Sequence, residues 1–172
     1  MTHDYFEFFT LPRNLNIEPA DLEKKFHELS RKWHPDKFAR RSTEEKEESL
    51  EASAILNDAY RTLKDPIKRA QYLLKQEGFE IGEQGSKEVP PELLEEVFEL
   101  NEALEEADLQ QLEIARRKFE KMQEELDEEL KAKFAEWDQS HNRNSLTEIR
   151  GLLNRRKYIT NLIAQTNVPN RV

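Results

Sequence analysis

Among side chains that could ligate a metal or move a proton near neutral pH, the sequence offers four histidines, 36 carboxylates and no cysteine. His27-Glu28-Leu29-Ser30-Arg31 opens like the zinc-binding His-Glu-x-x-His helix, but Arg31 stands where the second imidazole would have to be. The other histidines show no ligand spacing, and there is neither a glycine-rich phosphate loop nor a G-x-S-x-G elbow. Carboxylates are abundant, but abundance on charged helices does not define an acid and a base. The chain therefore reads as one that is not an enzyme, with no metal site and no cofactor.

One tripeptide, His34-Pro35-Asp36, could do something more specific. Proline fixes its own φ and restricts the residue before it, so the backbone is stiff where two polar side chains are displayed. Asp36 offers a carboxylate for charge-assisted hydrogen bonds, and His34 can donate or accept. Lys24, Lys25, Arg31 and Lys32 precede it, and Lys37, Arg40 and Arg41 follow. Residues 21–41 hold seven basic and four acidic side chains, a local balance of +3 suited to steering onto an acidic partner face. On these residues alone, an ordinary turn beside a solvated basic helix is an equal reading.

The elements that must hold this tripeptide are helical. Tyr5, Phe6, Phe8 and Phe9, ended by Leu11-Pro12, predict a short first helix. A second begins near Pro19 and stacks Leu22, Phe26, Leu29 and Trp33 on one side, stopping before Pro35. A polar loop is expected next, with the acidic run Glu44–Glu51 solvated. Ala52, Ile55, Leu56, Ala59 and Leu63 mark the third helix. Together the long helices predict an antiparallel hairpin with His34-Pro35-Asp36 at its tip. A fourth, short helix has Asp65 as N-cap, Pro66 in its first turn and Gly78 just past its end.

Gly78, Gly82 and Gly85, then Pro90-Pro91, form the one stretch rich in helix breakers. Residues 1–77 and 91–172 are thus expected to be two domains, with 78–90 the linker. Beyond it, Leu93, Val97, Leu100 and Leu104 form one stripe. Leu112, Ala115, Phe119, Met122 and Leu126 form another, continuing to Leu130 and Trp137. A last stripe, Ile149, Leu152, Leu153, Ile159 and Ile163, follows Ser145-x-x-Glu148, which reads as a capping box. The fold class is all-α, the second domain an antiparallel three-helix bundle.

At 100° per residue, Leu94 and Phe98 lie about 90–130° from the first stripe, with Glu102, Glu95, Glu106 and Glu99 farther round. An apolar ridge bordered by carboxylates suits docking of a basic, partly apolar partner. Packing of Leu94 and Phe98 on a neighbouring helix or on the first domain is the alternative.

Charge divides sharply along the chain. Residues 1–76 balance at zero, residues 77–138 carry −14 and residues 139–172 carry +5, for a total of −9. So acidic a centre repels a phosphate backbone, so no nucleic-acid partner is expected. No apolar run reaches the roughly 18 residues of a membrane span, and Met-Thr-His-Asp lacks a signal pattern, so a cytoplasmic protein with no membrane contact is expected.

Several segments together resemble the HscB family of J-domain co-chaperones. These are Asp4–Pro12, His34–Ala39, Leu63–Leu74, Pro90-Pro91-Glu92-Leu93-Leu94 and Glu99–Leu104. The resemblance implies an N-terminal J domain whose His-Pro-Asp loop stimulates ATP hydrolysis by a DnaK/HscA-class chaperone. Lys25, Arg31, Lys32, His34, Pro35, Asp36 and Lys37 would form that contact. It further implies a C-terminal domain that binds the iron–sulfur scaffold IscU through Leu94, Glu95, Phe98, Glu99, Glu102, Glu106 and Tyr158. Two positions depart from the family pattern. Glu95 stands where a methionine is common, and His27-Glu28 where many general J domains carry a basic pair. A J domain serving another client, and a helical adaptor without chaperone-stimulating activity, are the competing readings.

Overall fold

The computed structural model describes residues 4–80, 91–105 and 107–167, with the side chains of Glu92 and Leu93 left out. Every regular element among them is an α-helix, and the chain divides into two compact units, Met1–Leu73 and Leu74–Val172.

The first unit opens with α1, Tyr5–Phe8, capped by the Asp4 side chain, which accepts from the Phe6 and Glu7 amides. Partial burial pushes the Asp4 carboxyl up. Hydrogen bonds from the Arg13 guanidinium and the Glu7 and Phe6 amides, with the charge of Arg13, outweigh this and hold it below the usual carboxylate range. Tyr5 stacks on Tyr72 with ring centroids 4.5 Å apart, and the Tyr72 hydroxyl accepts from the Tyr5 amide. The chain then reverses at Thr10, which takes a left-handed φ of 51°.

Helix α2, Pro19–Lys32, starts on its proline and buries Leu22, and the Phe26 ring stacks on Tyr60 at 4.2 Å. A single turn, α3 (Pro35–Phe38), follows, and then α4, Thr43–Lys64. Here the structure corrects the expectation of a loop, since Glu44–Glu51 lies inside α4, while Glu44, Glu47, Glu48 and Glu51 are exposed as expected. The reason is local. Ser42 Oγ accepts from the Glu45 amide at 3.2 Å while the Ser42 amide donates to Glu45 Oε2 at 3.0 Å, a complete capping box. Acidic side chains in a first turn also complement the positive end of the helix dipole.

Ser49, Ala52, Leu56, Ala59 and Leu63 form the buried face of α4. The pairings Trp33 with Ser49 and Phe26 with Tyr60 run in opposite sequence directions, so α2 and α4 are antiparallel. Asp65 Oδ1 accepts from the Ile67 and Lys68 amides to start α5, Pro66–Gln76. Gly78, at φ 80°, ends it. Its amide reaches the Lys75 carbonyl and the Phe79 amide reaches that of Leu74, a Schellman arrangement that suits glycine.

The boundary between the units falls within α5, and the second unit holds α6 (Pro91–Glu105), α7 (Leu109–Ser140) and α8 (Arg143–Thr166). Asp108 and Gln111 close a reciprocal capping box at the start of α7, with both bonds 2.8 Å. Asn142 caps α8 by accepting from the Asn144 amide at 3.0 Å, so Ser145 is not the N-cap expected of it. Ser145 is instead buried in the first turn and donates to Glu136 Oε1, while Glu148 pairs with Lys133. The chain turns between α7 and α8 at His141, φ 50°.

Leu104, Leu112, Phe119, Leu126, Ile159 and Leu162 form one buried cluster drawn from all three helices. Polar pairs register α7 against α8 outside it: Gln123 with Thr160, a two-point Arg156–Asp127 pair, and Lys133 with Glu148. Those contacts also run antiparallel. Hydrogen bonding to Glu148, then to Glu136, raises the Lys133 ammonium above its usual range.

Candidate functional site

Helix α2 ends at Trp33, whose amide still bonds to the Leu29 carbonyl but whose own carbonyl has no partner within the helix. Two hydroxyls from α4 take it: Ser49 Oγ donates at 2.8 Å and Ser53 Oγ at 3.0 Å. The next residue, His34, sits at φ −62°, ψ 126°, the extended region that a following proline requires. Pro35 then opens the single turn α3, and the Lys37 amide closes on the His34 carbonyl at 3.0 Å.

His34 Nδ1 accepts from the Asp36 amide at 3.3 Å. Asp36 Oδ2 lies 3.6 Å from the same Nδ1, and its side chain is 91% exposed against 55% for His34. The tip of the hairpin thus presents an exposed imidazole and an exposed carboxylate on a stiff turn. The Trp33 and Phe38 rings stack across its base at 6.2 Å.

Arg31, Lys32 and Lys37 are exposed beside this turn, with Lys32 Nζ 4.8 Å from the Trp33 ring centroid. Lys25 is placed differently. Its ammonium donates to the Phe9 and Thr10 carbonyls at 3.1 and 2.8 Å, tying α2 to the left-handed turn after α1. Sequence reasoning missed that role, and it missed Ser49 and Ser53. A signal for Ser49 was present, because it continues the 3–4 spacing of Ala52, Leu56, Ala59 and Leu63 one turn upstream.

In the second unit, Leu104 is buried and Val97 and Leu100 are half-buried, whereas Leu94 is 44% and Phe98 68% exposed. The wheel arithmetic therefore separates the two faces of α6 as expected. Glu95, Glu99 and Glu102 are exposed around the ridge, and none is ion-paired among the described residues. Tyr158 is half-buried on α8, which packs against α6. Glu106 and the Leu93 side chain lie outside the described residues. Among those described, no group of His, Asp and Glu is arranged to hold a metal ion, and no helix is long and apolar enough to cross a membrane.

Comparison with known proteins bears on both surfaces. Residues 4–72 match the DnaJ domain family, and residues 89–167 match the HSCB C-terminal oligomerisation domain. The structure of chaperone HscB from Vibrio cholerae superposes with a TM-score of 0.68 at 30% identity, covering 95% of this chain and 94% of that one. The chain belongs to the HscB family. Human co-chaperone protein HscB is similar in fold as well, with a TM-score of 0.67 and 29% identity over 95% of this chain and 80% of its own.

In sequence, the chain is 41% identical over 107 residues to the human iron-sulfur cluster co-chaperone protein HscB. It is 43% identical over 104 residues to the co-chaperone protein HscB homolog of Vibrio vulnificus. These alignments cover 62% and 60% of this chain but only 46% and 60% of the two relatives. The DnaJ match encloses His34-Pro35-Asp36 and its basic flanks, and the HscB C-terminal match encloses α6, α7 and the described part of α8.

Proposed function

We propose that this chain is a co-chaperone that stimulates ATP hydrolysis by a DnaK/HscA-class chaperone and delivers an IscU-type iron–sulfur scaffold to it. The observation that carries the reading is the His34-Pro35-Asp36 turn. A nearly fully exposed carboxylate and an exposed imidazole sit on a backbone fixed by proline, with Arg31, Lys32 and Lys37 exposed alongside. Such a tip offers hydrogen bonds and positive charge to an acidic partner face. The role is regulatory, with hydrolysis performed by the partner.

The client half of the proposal rests on α6. Leu94 and Phe98 are large apolar side chains left in water on a helix whose other apolar stripe is buried at Leu104 and half-buried at Val97 and Leu100, and carboxylates border them. Leu94, Glu95, Phe98, Glu99, Glu102 and Glu106, with Tyr158 on α8, are the proposed scaffold contacts. Residues 1–77 and 91–172 would serve as the two docking modules, joined by 78–90, in the cytoplasm and with no nucleic-acid or membrane partner. Single-turnover ATP hydrolysis by a purified DnaK-class chaperone, with and without the full chain, tests the reading. Stimulation that His34→Gln abolishes is expected, whereas equal stimulation by both forms would refute it.

A further inference from the structure

Ser49 and Ser53 lie one turn apart on α4, and both donate to one acceptor, the carbonyl of Trp33 immediately before His34. Ser49 is fully buried. It holds a position in the core stripe of α4 whose next members are Ala52, Leu56, Ala59 and Leu63. Ala52 and Ala59 show that this stripe accepts a bare methyl group, so packing alone does not call for a hydroxyl at position 49. What does call for one is the last carbonyl of α2, turned away from solvent toward α4.

We propose that Ser49 and Ser53 are positioning residues for the His34-Pro35-Asp36 turn. This rests on the ATPase-stimulating reading given above. The peptide unit is planar, so fixing the direction of the Trp33 carbonyl also fixes the His34 amide and Cα. Pro35 confines His34 to the extended region, where it is found at ψ 126°. Two hydroxyls and one proline thus leave the His34 backbone with φ as its only soft torsion. The Asp36 amide then holds the ring through Nδ1, and the Phe38 ring braces Trp33 across the turn. Orientation of the tripeptide is in this way set from α4, while the basic side chains that draw the partner in sit on α2 and α3.

That division of labour gives the test. The full chain carrying Ser49→Ala and Ser53→Ala, the Ser53→Thr form and the His34→Gln form are titrated into single-turnover ATP hydrolysis by a purified DnaK-class chaperone. Loss of both hydroxyls is expected to lower maximal stimulation by about three- to ten-fold. The concentration giving half-maximal stimulation should move by less than about two-fold, since no charged contact changes. Ser53→Thr, which keeps its hydroxyl, should stimulate fully.

Full maximal stimulation by the double variant, beside its loss in His34→Gln, would overturn the positioning role. So would a loss that tracks thermal unfolding and disappears when the assay is cooled. Should the double variant not fold, the half-buried Ser53→Ala alone must show the same split between maximum and midpoint. If His34→Gln itself stimulates normally, the functional reading fails and the positioning role fails with it.

Discussion

From within the core of the first unit, Arg69 Nε donates to the Leu15 carbonyl at 2.8 Å, and the same guanidinium reaches the Leu63 carbonyl. Arg69 is only 5% exposed, so one side chain joins the segment before α2, the last turn of α4 and the first turns of α5. Arg69→Ala leaves both carbonyls without these donors and is expected to lower the unfolding free energy by about 2–4 kcal/mol. Arg69→Lys should recover only part, because an ammonium lacks the planar fork that serves two acceptors at once. Denaturant titration followed by circular dichroism measures both; a loss below about 0.5 kcal/mol for Arg69→Ala would show that the carbonyls find other partners.

Phe98 makes the opposite case. With 68% of its surface in water, it contributes little to packing, and Phe98→Ala should leave the melting temperature unchanged. If the ridge on α6 holds the scaffold, the same change should weaken calorimetric binding to a purified IscU-type protein by about ten- to a hundred-fold. Unchanged affinity would move the client site elsewhere on the chain.

Glu99 and Glu102 should act on the same equilibrium through charge. The double reversal Glu99→Lys with Glu102→Lys is expected to weaken binding and to flatten its dependence on salt, since exposed ion pairs are screened. Affinity that falls with no change in salt slope would point to lost packing instead.

Acid should loosen the N-terminus through Asp4. Its folded carboxyl titrates below the unfolded-chain value of about 3.9. The stabilisation is therefore present above that value and is lost as pH falls through the folded one. Asp4→Ala should cost about 1 kcal/mol at pH 7, as a lost helix cap does, and the gap to the parent chain should narrow below about pH 4. A gap of constant size down to pH 3 would show that the carboxylate charge is not responsible.

The Arg156–Asp127 pair links α7 to α8 through two nitrogen–oxygen contacts, with side chains 23% and 38% exposed. Such partly screened bidentate pairs are worth about 0.5–1 kcal/mol. A double-mutant cycle with Arg156→Ala and Asp127→Ala should return a coupling of that size; zero coupling would reduce the pair to a surface accident.

Much of this was legible in the sequence because the signals are local. Apolar spacing located the long helices, Pro19 and Pro66 marked two starts, and Gly78 marked an end. The two faces of α6 separate Phe98 from Leu104 by angle alone. The acidic run after Ser42 misleads because like charges in a row suggest a loop, although Ser42-x-x-Glu45 is itself a helix start signal. Ser145-x-x-Glu148 misled in the other direction, since Lys133 and Glu136 on α7 hold those two side chains. Lys25, Ser49, Ser53 and Arg69 were not legible in their roles at all. Each bonds to a carbonyl far away in sequence, and every residue type carries a carbonyl.

The glutamates around Leu94 and Phe98 have a consequence for the chain when it is alone. An exposed phenylalanine beside an exposed leucine is a seed for self-association, and flanking charges of one sign are what natural sequences use to prevent it. The carboxylates that would recognise a basic client would therefore also set like charges against one another wherever two such ridges approached. At high ionic strength that mutual repulsion is screened first. Concentrated protein in high salt and without client is then the condition under which contact between two such ridges is expected first.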